Sequence, residues 1–488
     1  RMFLTIWVLL CCAAWSAAGP QLVDAIEARD RGLAFKLLEQ EADVNAAQAD
    51  GMTALHWAAY HDDTELGLKL LEAGAKADVE NRYEVTPLYS ACKNGNPELV
   101  KALLARGVDP DTSLKGEEAI LTASRTGSAE VVKALLEAGA RVNAYEHNKQ
   151  TALMWASAEG HLEVVKILLG AGADRDKQLS SGLTPLLFAV REGKAPVVHA
   201  LLKAGCDLNG AVDPKEGRLP DGTTPLSLAI ENGHFELANS LLEAGADSNE
   251  MRTGYSPLHM LSWVRKPHGG DGPDDLPPPE GSGTMSSLQF AKVLVENGAE
   301  VNARAKKGNG HLKGGTPFFL AAWRADVALM KTLVELGADP LIASSDESTA
   351  LMAATGIGRQ MESASAGTED EILASAKYLL ELGVDVNAVN KSKETAMHGA
   401  AYKNLPKVVA YLDEQNADVK IWHQRNRRGS TPYLIAAGYR PGNFKPSYET
   451  MDAFKAALAR HGIEPTEKPP ERIDPYTQKK DWENAKKP

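Results

Sequence analysis

The chain has 488 residues, which on length alone allows about three ordinary domains. With 43% hydrophobic residues, 24% charged residues and a mean hydropathy of −0.28, it carries enough apolar material to fold, so bulk disorder is excluded. The net charge of −12 and pI near 5.6 argue against a general nucleic-acid binder, and four cysteines are too few for a disulfide scaffold.

The first element is an apolar run from Met2 to Trp15, followed by Ser16, Ala17 and Ala18. It is shorter than the roughly 20 residues of a membrane-spanning helix, and small residues follow it as at an export cleavage site. Residues 1–18 are therefore expected to be a secretory signal peptide, placing the rest of the chain in the periplasm or outside the cell. Cys92 and Cys206 then remain, in slots that other parts of the chain fill with alanine, so both are expected to be small buried residues.

From about residue 21 to 465 one pattern recurs. Asp50-Gly51-Met52-Thr53-Ala54-Leu55-His56 is repeated as Ser181-Gly182-Leu183-Thr184-Pro185-Leu186. Val131-Val132-Lys133-Ala134-Leu135-Leu136-Glu137-Ala138-Gly139-Ala140 is repeated near Leu241-Leu242-Glu243-Ala244-Gly245-Ala246. The threonine of the first pattern recurs at Thr53, Thr86, Glu118, Thr151, Thr184, Thr224, Ser256, Thr316, Thr349, Thr395 and Thr431, with first steps of 33, 32, 33 and 33. Each unit reads as a Gly-containing turn, a threonine cap with Pro or Ala in the first helical turn, a short Ala-rich helix, a glycine stop, and a second, Leu/Val-rich helix. Neither helix can bury its apolar stripe alone, so neighbours must stack. Small residues on the first helix pack more closely than leucines on the second. The stack should curve, with first helices and turns on the concave side.

These residues resemble the ankyrin-repeat family over nearly the whole chain, and the Ala-rich repeats behind a signal are similar to exported bacterial members. The resemblance implies an all-α solenoid of helix–turn–helix units with β-turn fingers, about eleven repeats after an N-terminal half repeat. The expected segments are a cap at 19–46, regular repeats one to five at 47–210, repeats six to eleven at 211–465, and an extended tail at 466–488. In the cap, Leu37-Leu38 matches a second helix, and the Thr-Pro opening of a first helix is missing.

After Asn209 the steps become 40, 32, 60, 33, 46 and 36. Insertions at Asn209–Pro220 and Arg304–Gly315 lengthen fingers. Those at Arg265–Gly283, Gly356–Asp370 and Gly438–Pro446 part the two helices of a repeat. Such insertions map to loops, often on a working face.

No zinc, phosphate-loop or nucleophile-elbow motif is present, and no cofactor is expected. His56, His259 and His398 occupy the histidine slot of the family's Thr-Pro-Leu-His motif, which implies a structural bridge between repeats. The resemblance further implies a groove-facing position late in the first helix, held here by Tyr60, Trp263, Trp323 and Tyr402, with Arg324 and Lys403 beside two of them. Aromatic groups there would be interface anchors, unless they pack under the inserted loops. Two acid-free stretches, Val301–Leu320 with Arg304, Lys306, Lys307 and Lys313, and Lys420–Pro446 with Arg425, Arg427, Arg428 and Arg440, would form positive patches on an acidic chain. The expected function is a monomeric, non-catalytic scaffold that binds an acidic protein partner, with no nucleic acid and no membrane once the signal is removed. The competing reading is an enzyme or metal site built from the insertions, for which His268, Asp271, Asp274, Asp275 and His311 are the candidates.

Overall fold

In the computed structural model all eleven expected cap positions stand immediately before a helix. Residues 21–213, 219–267, 278–308, 310–357, 367–440 and 445–465 are described. Residues 1–20, which include the expected signal segment, the tail from Thr466 and a part of each of the five insertions lie outside them. The chain divides into one unit of residues 1–207 with 212–219, and another of 208–211 with 220–488.

In the first unit the helices are α1 (Gln21–Glu27), α2 (Arg31–Glu39), α3 (Ala54–Tyr60), α4 (Thr64–Glu72), α5 (Pro87–Asn94), α6 (Pro97–Leu104), α7 (Ala119–Thr126), α8 (Ala129–Glu137), α9 (Ala152–Glu159), α10 (Leu162–Gly170), α11 (Pro185–Arg191) and α12 (Ala195–Lys203). First helices pack on first helices and second on second. The threonine side chain accepts the N–H three residues on, as Thr86 does from Tyr89 at 3.1 Å. A left-handed glycine, such as Gly95 at φ 71°, ends the first helix. Leu99, Val100 and Leu103 of α6, and Val131, Val132 and Leu135 of α8, are fully buried between neighbours. Each such side chain contributes about 1.5–3 kcal/mol of apolar burial.

The segment before the first finger differs from expectation. Gln21–Glu27 is itself a helix, with Leu22, Val23, Ala25 and Ile26 buried against the next pair. The described residues of this segment form a helix pair, one helix more than the expected half repeat.

The second unit contains α13 (Pro225–Glu231), α14 (Phe235–Glu243), α15 (Pro257–Arg265), α16 (Ser287–Glu296), α17 (Pro317–Trp323), α18 (Val327–Glu335), α19 (Ala350–Thr355), α20 (Glu369–Glu381), α21 (Ala396–Tyr402), α22 (Pro406–Glu414), α23 (Val419–Trp422), α24 (Pro432–Ala436) and α25 (Tyr448–Arg460). Three pairs are parted where the sequence places insertions: α15 from α16, α19 from α20, and α24 from α25. Fingers close as short turns, for example Asn390 N–H to Glu394 O at 3.0 Å and Asn426 N–H to Ser430 O at 3.0 Å.

Consecutive pairs are also tied by one recurring polar link. The side-chain oxygen of Asn45, Asn143, Asn249, Asn302 or Asn387 accepts the N–H of Lys76, Asp174, Glu300, Asp339 or Asp418, at 2.7–2.9 Å. Cys92 and Cys206 are buried free thiols, and burial pushes the Cys206 thiol up to about 11. No described helix is long and apolar enough to cross a membrane.

Candidate protein-binding surfaces

The three motif histidines are interior struts. His56 Nδ1 accepts from its own cap, Thr53 N–H, at 3.2 Å, and Nε2 meets Val85 O in the next finger at 3.0 Å. His259 repeats this with Ser256 N–H at 3.1 Å and Gly315 O at 3.1 Å, and His398 with Thr395 N–H at 3.2 Å and Gln424 O at 3.2 Å. An Nδ1 that accepts leaves the proton on Nε2, so the ring is neutral. Burial lowers the basicity of all three, that of His259 to about 4 and that of His398 to about 3.

The late first-helix position does not give the row of exposed aromatics that the sequence implies. Tyr60 is 59% exposed. Trp263 and Trp323 are only half-exposed and pack with Tyr255 and Leu312 against Phe319, Leu320 and Ala353. Tyr402 is a correction: it is 6% exposed, with its hydroxyl donating to Glu394 Oε1 at 2.9 Å. Arg324 and Lys403 are buried too, at 6% and 7% exposed. Arg324 stacks over the Trp323 ring at 4.5 Å. Lys403 lies so close to Gly356 that a Cβ there would meet its Cγ at 2.3 Å. Arg440, from the second basic stretch, is likewise interior and donates to Tyr402 O.

Several exposed or half-exposed aromatics stand in the first unit instead. Tyr83 and Tyr145 lie on fingers at 60% and 50% exposed, and Trp57 and Trp155 lie one turn before the position the sequence singles out. Arg125 stacks over Trp155 at 5.2 Å, and Lys149 over Tyr145 at 4.4 Å. Trp57 and Trp155 share one slot, four residues after the cap, which Ser90, Thr122, Ala353 and Gly399 fill in other repeats; Tyr83 and Tyr145 carry no such signal.

The basic residues of the second unit fare differently. Arg304, Lys306, Lys307, Lys313, Lys391, Lys393, Arg425, Arg427 and Arg428 are all exposed on fingers. Main-chain bonds tie successive fingers: Lys306 N–H to Gly254 O at 2.8 Å, Ser345 N–H to Lys313 O at 2.8 Å, Lys391 N–H to Asp346 O at 2.9 Å, and Arg427 N–H to Ser392 O at 2.9 Å. The acids of these fingers are turned inward or paired. Asp346 pairs with His311 and accepts from Ser344 Oγ at 2.6 Å and Ser348 N–H at 3.2 Å. Burial alone would raise the Asp346 carboxyl, but the His311 ring and the two serines hold it well below the usual carboxylate range. The same bond raises the basicity of His311. Glu394 is buried and accepts from Tyr402 and from Asn426 Nδ2 at 2.9 Å. Glu347 pairs with Lys391 at 3.6 Å.

The repeated helix pair with its finger is matched by a family profile described as ankyrin repeats, over residues 22–114, 94–178, 120–212, 186–263 and 318–422. The chain belongs to the ankyrin-repeat family. Among solved structures, the crystal structure of the human ASB11 ankyrin repeat domain is similar, with 23% identity over 52% of this chain and 100% of that one, at a TM-score of 0.41. No curated protein sequence matches. Ankyrin repeats mediate protein–protein interaction in general, and this ankyrin chain presents the surface types such contacts use: rigid rings and ordered charge.

For the competing enzyme or metal reading, His268, Asp271, Asp274 and Asp275 lie outside the described residues, and His311 is engaged by Asp346. Among the described residues no group of three or more His, Cys, Asp or Glu is arranged to hold a metal ion.

Proposed function

We infer that this ankyrin protein is a non-catalytic, monomeric scaffold in an exported compartment, where it binds an acidic protein partner through the fingers of its second unit. The observation that carries this reading is the basic finger row. Lys306, Lys307, Lys393, Arg427 and Arg428 are exposed on a hydrogen-bonded set of turns, while the acids between them are turned inward or paired, Glu347 with the neighbouring Lys391. On a chain of net charge −12 such a row steers an acidic partner into register. Pre-ordered turns lose little entropy on association. Tyr60 is the exposed ring of the four late-helix aromatics and remains a candidate anchor in the first unit. The export part of the reading is supported by the apolar run Met2–Trp15 and the small residues after it.

The test is affinity capture with the full chain and with Lys306→Glu, Lys307→Glu, Arg427→Glu and Arg428→Glu combined. The wild type should retain an acidic protein whose association slows about tenfold in the variant and on raising salt through the physiological range. Equal retention by both proteins, or association indifferent to salt, refutes the basic row as the contact.

A further inference from the structure

We propose that the N-terminal end of the first unit is a second docking surface, built to take arginine or lysine side chains from a basic segment of a protein partner. The proposal uses the protein-binding reading for the class of ligand, but rests on other residues and on the opposite charge.

The site is assembled around Gln48 in the first finger. Its Nε2 donates to Asp24 Oδ1 at 3.1 Å and to Glu27 Oε2 at 2.6 Å, and its Oε1 accepts from Trp57 Nε1 at 3.0 Å. Two carboxylates are thus drawn together on one neutral amide. Like charges this close repel, and the amide does not neutralise them. Among the described residues no salt bridge reaches either acid. The cations close by are engaged with other groups: Arg29 donates to His61 Nδ1 at 3.2 Å, and Arg31 pairs with Asp63 at 2.7 Å and Glu65 at 2.8 Å.

The rings beside these carboxylates are held in place. The Trp57 indole is pinned by Gln48 and stacked on His61 at 5.4 Å, and Tyr60 meets it edge-on at 5.6 Å. His61 closes the circuit through Nε2 to Glu27 O at 3.3 Å. Tyr60, against both Trp57 and His61, is left 59% exposed. A fixed aromatic face beside two exposed carboxylates matches the chemistry of a guanidinium or ammonium group, which lies over the ring and pairs with the acids. An acidic or purely apolar segment would leave that charge unanswered.

The probe is a fluorescent peptide of three alternating Gly-Arg units, with a neutral analogue in which citrulline replaces arginine. Fluorescence anisotropy with the full chain should show saturable binding of the arginine peptide and none of the citrulline one. Asp24→Asn with Glu27→Gln should weaken binding roughly tenfold, and Tyr60→Ser about threefold, with thermal midpoints unchanged. Glu137→Gln with Glu296→Gln removes the same charge from exposed helix positions and should change affinity less than about twofold. If this control weakens binding as much as the patch variant, the attraction is diffuse and the site is refuted. No binding of the arginine peptide, equal binding of citrulline, or unchanged affinity in the patch variants also refutes it. Concentration-dependent self-association abolished by Asp24→Asn with Glu27→Gln would assign the surface to a second copy and overturn the proposal. None of these outcomes bears on the basic fingers, whose test uses other residues.

Discussion

His259 shows how one side chain can be both a strut and an acid-sensitive weak point. Its Nδ1 accepts from the N–H of its own cap, and its Nε2–H reaches Gly315 O in the next finger. A second proton has no acceptor at Nδ1, and burial opposes the charge, so the folded ring titrates near 4 rather than 6.5. The unfolded chain therefore binds the proton first. Stability is lost as pH falls from about 6.5 to about 4, by about 3 kcal/mol for this ring. His56 and His398 act in the same direction, whereas His311, whose basicity is raised by Asp346, acts in the opposite one. His259→Gln is expected to lower the thermal midpoint at pH 7, through loss of one bridge worth about 1–2 kcal/mol. It should then lose less than the wild type on acidification, so the two curves converge toward pH 4; parallel curves refute the assignment. The strut role of these histidines was legible in the sequence because slot and residue type suffice to define it. The burial of Tyr402 was not. It depends on Glu394 and Asn426, which come from two different fingers and meet the hydroxyl only once the repeats are stacked.

The first helices of the eleven repeats begin where threonine or serine stands, and the one exception is instructive. Glu118 precedes α7 but makes no capping bond, while Thr86 and Thr151 before and after it do. Its side chain turns to Arg141 instead, and burial raises its carboxyl above the ordinary glutamate range despite that arginine. Its Oε2 is buried without a hydrogen-bond partner. Glu118→Thr restores the cap and removes the buried oxygen, at the cost of an ion pair whose arginine is mostly in water. A cap is worth about 1 kcal/mol, more than an exposed pair, so the thermal midpoint should rise. Amide exchange at Ile120 and Leu121 should slow in step. A midpoint that stays put or falls would mean that the Arg141 pair carries more than the cap. Starts and glycine stops were legible because each follows from local chemistry. The first described helix was misjudged for the same reason: Gln21–Glu27 has no threonine before it, and only its buried Leu22, Val23, Ala25 and Ile26 mark it as a helix.

Within the first unit each helix pair touches the pair before it and the pair after it. Repeat arithmetic made this order legible, since a regular step of about 33 residues fixes which pair follows which. It did not reveal that Tyr60, Tyr83 and Tyr145 are exposed here while among the described aromatics of the second unit only Tyr448 is, because exposure depends on what the fingers cover. A body held by nearest neighbours should respond locally to damage. Leu135 of α8 is fully buried where α8 packs on α6 and α10. Leu135→Ala removes about 2–5 kcal/mol at that layer. Hydrogen exchange should accelerate most in α6, α8 and α10, less in α4 and α12, and least in α2. A protein that unfolded as one cooperative block would instead lose protection evenly across all six pairs. Even loss would overturn the nearest-neighbour account, whereas a gradient falling away from α8 on both sides would establish that the first unit is stabilised layer by layer.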